Sequence, residues 1–172
     1  MKNILLFVSM IMLMASCTST YDSLKEEIAR QEKNLFEDHS GVADQKLAKE
    51  MNEAYLSFAD QFPNDSLSPE YLFRAAEIDA NVLGAKQAIQ YYDRILDNYS
   101  NYPKMPEALF MKAFIYDRDF QNVKLSEKYY SLFVKKFPDH PLANDAKLSI
   151  QHLGMSDVDI IKMFQQKNST TN

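Results

Sequence analysis

The sequence predicts an all-α protein built as a stack of antiparallel helix hairpins, about three to four helix pairs. Three observations predict it. Turn formers are scarce, with 3 Gly and 6 Pro in 172 residues, while Ala, Leu, Lys, Glu, Gln and Met dominate. Alternating Val/Ile/Thr runs are nearly absent, so nothing reads as a half-buried strand. The chain also repeats itself at a fixed period of 37 to 38 residues, the mark of a helical solenoid.

The elements follow in order. Ser23 reads as a helix N-cap with Glu26 three residues on, a capping-box pattern. Leu24, Ile28 and Leu35-Phe36 recur at helical spacing, and Asp38-His39-Ser40-Gly41 ends that helix. A short coiled coil is the alternative, but two heptads interrupted by Gln31 are too few, and an amphipathic helix packed on the next one is preferred. A second helix runs from about Asp44 to Phe62 on the stripe Leu47, Met51, Ala54-Tyr55, Phe58, Phe62. Ser68 then reads as an N-cap with Pro69 at the first helical position. Helices are predicted at 69–82, 85–99, 104–119, 124–137, 141–153 and 156–167, with Gly84 and Gly154 in left-handed turns.

The repeat aligns Tyr55, Tyr92 and Tyr130. Seven residues later stand Phe62, Tyr99 and Phe137, then Pro63, Ser100 and Pro138. Glu70, Glu107 and Asp145 correspond, as do Phe73, Phe110 and Leu148, and the small Ala76 and Ala113. One hairpin cannot bury its own apolar face, so neighbours must stack, large residues over small ones. Of the pairs Tyr91-Tyr92 and Tyr129-Tyr130, Tyr92 and Tyr130 are expected in the core.

The N-terminus carries a different signal. Lys2 supplies a positive charge, Ile4 to Met14 is apolar apart from Ser9, and Ala15-Ser16-Cys17 is a small-residue cleavage zone. This reads as a secretory signal peptide over 1–16. This eleven-residue stretch would make roughly 16 Å of helix, about half a bilayer core, so it does not span. Met14-Ala15-Ser16-Cys17 also resembles a bacterial lipobox, with Met14 where Leu is usual. The resemblance implies that Cys17 is acylated and becomes the new N-terminus. Residues 17–22 then serve as lipid anchor and tether, 23–167 as the helical domain and 168–172 as a disordered tail.

Removal of 1–16 leaves 18 basic residues against 24 acidic, a net charge of −6. That sign argues against nucleic acid and gives no polybasic patch for an anionic membrane, so attachment falls to the acyl chains. Cys17 is the sole cysteine, so the fold has no disulfide and no thiolate ligand. His39, His140 and His152 share no metal spacing and read as surface or capping residues. Three scattered glycines cannot build a phosphate cradle, and no G-x-S-x-G or Walker loop occurs. No cofactor, no metal and no catalytic group is expected.

Gly84-Ala85-Lys86-Gln87-Ala88-Ile89-Gln90-Tyr91-Tyr92 resembles the second half of a tetratricopeptide repeat, with Ala88 four residues before Tyr92. Ser126 stands where the third repeat should have its Ala, and Gln151 replaces the small residue of the last unit. With Phe137-Pro138-Asp139-His140-Pro141, the lengthened repeats look like outer-membrane-assembly lipoproteins of the BamD type and periplasmic proteins of the YbgF type, over residues 44–153. The resemblance implies a right-handed solenoid whose first helices line a concave side. Its groove positions fall on Glu70, Phe73, Glu77, Asn81, Glu107, Phe110, Phe114, Asp117, Arg118, Asp145, Leu148 and His152. An acidic rim around an apolar floor suits a partner segment with basic and apolar side chains. Phe73, Phe110 and Leu148 read equally as core.

The expectation is a non-enzymatic lipoprotein of the outer membrane, on the periplasmic face, whose repeats hold other envelope proteins, monomeric or within a hetero-complex. A BamD-like role in outer-membrane protein assembly is favoured by resemblance. A YbgF-like cell-division adaptor and a solute- or glycan-binding lipoprotein are the alternatives.

Overall fold

The computed structural model describes residues 20–34 and 44–169. Residues 1–16, read above as a signal peptide, lie outside them, as do Cys17, Leu35-Phe36 and the expected His39 turn. The described residues are helical, joined by short turns, with no strand among them. Residues 20–34 form α1. There follow α2 (Gln45–Gln61), α3 (Ser68–Ile78), a π-helical turn (Asp79–Leu83) and α4 (Ala85–Asn98). Then come α5 (Met105–Arg118), α6 (Val123–Lys136), α7 (Ala143–His152) and α8 (Asp157–Ser169). No helix among the described residues is long and apolar enough to cross a membrane.

Two local expectations are corrected. Ser23 is not an N-cap: α1 is already helical at residue 20. The reason is packing, because Tyr21 sets its ring 5.4 Å from Phe58 and 5.1 Å from Phe62, which recruits the first turn into the helix. Ser68 is not an N-cap either; that place belongs to Leu67. Asp65 accepts the Leu67 N–H at 2.8 Å, and the buried Ser68 donates its Oγ–H back to the Phe62 carbonyl at 2.6 Å. Asp44 does cap α2, accepting N–H bonds from Lys46 and Leu47.

The contacts fall into two compact units, divided between Tyr91 and Tyr92 within α4. In the first, Ile28, Met51, Ala54, Tyr55, Phe58, Tyr71 and Ala75 form the core. Glu32 ties α1 across it, accepting from Tyr55 Oη at 2.8 Å and pairing with Arg74. In the second, Leu109, Ala113, Tyr130, Phe133, Ala143 and Ala146 form the core, with Phe110, Phe114 and Phe137 against it.

The repeat is written in the backbone. The N–H of Phe62, Tyr99 and Phe137 each bonds the carbonyl four residues earlier, of Phe58, Ile95 and Phe133. Three residues on, Asp65, Tyr102 and His140 bond back to Phe62, Tyr99 and Phe137. Three more on, Ser68, Met105 and Ala143 bond Asp65, Tyr102 and His140. The interiors repeat too. Met51, Ala88 and Ser126 are each fully buried, and so are Phe58, Ile95 and Phe133. Ser126 substitutes for alanine because its Oγ–H is returned to the Asn122 carbonyl at 2.9 Å. Tyr92 and Tyr130 are fully buried, while Tyr91 and Tyr129 are half-buried.

Candidate functional site: an acidic and apolar cleft in the second unit

The expected groove residues part company. Glu70, Phe73, Glu77 and Asn81 belong to the first unit. There Glu70 pairs with Arg74 at 3.0 Å, Phe73 is buried at 6 % exposure, and Asn81 donates to the Glu77 carbonyl of its own helix at 2.8 Å. Burial places Phe73 in the interior. In the second unit Phe110 stands edge-on to Tyr130 and Phe133, at 5.4 and 5.6 Å, and packs on the core. Phe114 is partly buried there too, with the Arg118 guanidinium 5.1 Å from its ring.

His140 lies in the turn before α7, whose N-cap position is Leu142 and carries no side-chain cap. Its Nδ1 accepts the Leu142 N–H at 3.2 Å, so the neutral ring carries its proton on Nε2, 3.4 Å from Glu107 Oε1. Glu107 is therefore engaged with the turn that precedes α7.

The remaining four come together. Asp117, Asp145, Leu148 and His152 line one open cleft of about 510 Å³. Ser149, Gly154, Met155 and Ile160 complete it. Each has a local origin. Asp117 and Arg118 end α5, and Asp145 sits in the first turn of α7, where a carboxylate suits the positive end of the helix dipole. Leu148 and His152 are one turn apart on α7. Gly154 turns the chain at φ +75°, a left-handed conformation that favours glycine, and brings Met155 and α8 alongside.

The cleft has a definite electrostatic character. Two carboxylates line it, and no Lys or Arg does. Desolvation by burial pushes the Asp117 carboxyl above its ordinary range. Burial also pushes the Tyr130 hydroxyl up to about 12, with added support from the Asp117 charge. Leu148 is 49 % exposed and offers an apolar contact in the cleft. Two carboxylates beside exposed apolar side chains are complementary in charge and polarity to a cation that carries an apolar group.

Sequence reasoning missed Ser149, Met155 and Ile160. Their signal was the placement of α8 after Gly154, which no single-helix pattern reveals. It also missed Lys112, 5 % exposed, which pairs with Asp93 and holds its Nζ 4.0 Å over the Tyr129 ring. Tyr116 stacks on the same ring at 5.5 Å and 9°. No group of three or more His, Cys, Asp and Glu side chains among the described residues stands together as a metal site. Comparison with protein-family models, curated proteins and solved structures finds no match to this chain.

Proposed function

We propose that this protein is a lipid-anchored, non-enzymatic interaction module of the bacterial envelope, whose helix pairs stack as a tetratricopeptide-like solenoid. Three equivalent interhelix turns and the matched burial of Met51/Ala88/Ser126 and Phe58/Ile95/Phe133 support the stack. The lipobox-like Met14-Ala15-Ser16-Cys17 supports the anchor, with the outer membrane as its place and the periplasmic face favoured. Envelope assembly of the BamD kind remains the preferred role, and a YbgF-like adaptor the second.

The single observation that carries binding over catalysis is the cleft. It joins two aspartates to an exposed leucine, a methionine and an isoleucine, with Ser149 and His152 beside them. Its preferred occupant is a protein segment placing a Lys or Arg against Asp117 and Asp145 and an apolar side chain against Leu148.

Photo-cross-linking from position 148 in intact cells tests this. A discrete protein adduct is expected, lost when Asp117→Lys is added. Adducts that survive the charge reversal unchanged would remove the cleft from the binding surface. Cys17→Ala in the same cells should leave the protein out of the membrane fraction, and unaltered fractionation with normal processing would sink the anchor.

A further inference from the structure

We propose that the end of the first unit built from Tyr21 and the 62–67 loop lies directly on the bilayer surface. This rests on the reading of Cys17 as the acylated residue. Three residue steps separate Cys17 from Thr20, which already belongs to α1. Even fully extended, three steps reach at most about 11 Å. The start of α1 is therefore confined to the headgroup layer and its immediate margin.

Helix α1 gives this tether no slack. Tyr21 packs on Phe58 and Phe62, Leu24 packs on the core, and Ile28 is 2 % exposed. Further along, Glu32 bonds Tyr55 and Arg74. The helix is fastened along its length, so its start is fixed to the body of the unit. The Asp65 carboxylate lies beside the Tyr21 hydroxyl, which puts the loop joining α2 to α3 at the same end. On that loop Pro63, Asn64 and Ser66 are exposed. The turn at Gly84 stands at the other end of α3, sixteen residues beyond Ser68, or about 24 Å along a helical rise.

Charge does not hold this end to lipid. Among the described residues, Asp22, Glu26, Asp60 and Asp65 outnumber Lys25 in the segments that form this end. An acidic face is repelled by anionic headgroups. Apposition is imposed by tether length, and lengthening the tether should abolish it.

The test uses the full acylated chain in phosphatidylethanolamine/phosphatidylglycerol vesicles doped with a nickel-chelating quencher lipid. Asn64→Cys or Lys86→Cys carries a fluorophore, and acylated Cys17 does not react with the label. Quenching several-fold stronger at position 64 than at 86 is expected. Inserting about 12 Gly/Ser residues before Thr20, with a mean reach of roughly 20 Å, should bring the two sites close together in quenching. Equal quenching without the insertion, or a difference that survives it, overturns the proposal. Mass spectrometry of the same preparation separates the two claims. Absence of the diacylglyceryl mass defeats the anchor itself, whereas an acylated protein with equal quenching defeats only the orientation.

Discussion

Asn52 donates its Nδ2–H to Oδ1 of Asp79 across 2.6 Å, and both residues are buried. The pair joins the middle of α2 to the π-helical turn that continues α3. In that turn the N–H of Gly84 reaches back five residues to the Asp79 carbonyl at 2.7 Å. Gly84 can close it because its φ of +152° lies in a region side chains rarely adopt. Asp79 is thus a carboxylate held inside by backbone geometry.

Burial pushes the Asp79 carboxyl up to about 6, and the Asn52 bond only partly opposes this. A carboxyl raised on folding favours the folded state at pH below its unfolded value, and that contribution is lost as pH rises through about 6. Asp79→Asn should therefore stabilise the protein by about 1–2 kcal/mol at pH 7.5. The amide can also donate to Asn52 Oδ1, which is buried without a hydrogen-bond partner. Urea melts between pH 4.5 and 8 check it. An unchanged pH dependence in the variant would show that Asp79 is not the group responsible.

Lys112 is held by Asp93 and by the Tyr129 ring. Burial works to lower its pKa, but hydrogen bonds to Asp93 and Tyr129 and the Asp93 charge outweigh it and the ammonium is favoured. Asp93→Asn strands that cation and should cost about 1–3 kcal/mol, less than a fully enclosed pair because Asp93 keeps contact with water. Adding Lys112→Met should restore most of the loss. A double variant as unstable as the single would mean that the charge pair is not the source.

Ala113 is fully buried in the core of the second unit, beside Tyr130 and Phe133. Ala113→Phe should overpack that contact and cost about 1–3 kcal/mol. The same change at Ala76, equally buried at the corresponding repeat position, should cost a similar amount. Thermal melts of both variants check the register, and an unaltered midpoint in either would break the equivalence.

The helices were legible because their signals are local. The stripe from Leu47 to Phe62 and the breakers at Tyr99–Pro103 and Phe137–Pro141 locate their elements to within one or two residues. Tyr92 and Tyr130 were legible because a repeat assigns one role to corresponding positions. The candidate site was legible in part. Asp117, Asp145, Leu148 and His152 were named only through the tetratricopeptide resemblance, and of the two readings open for Phe73 the interior one holds, because pattern fixes a helical phase and not the depth of burial around it.

By itself the sequence determined the all-helical class, the 37–38-residue period and the placement of Cys17 behind an export-like segment, all of them matters of pattern along one chain. Only the tertiary structure decided that Asp79 and Lys112 are interior, since hydropathy places both in water and only partners distant in sequence, Asn52, Asp93 and Tyr129, make their burial tolerable. It alone decided that Ser23 lies within a helix, because the packing of Tyr21 outweighs a local cap. It alone gathered Asp117 from α5, Asp145 and Leu148 from α7 and Ile160 from α8 into one cleft, because helix ends far apart in sequence meet only when helices pack.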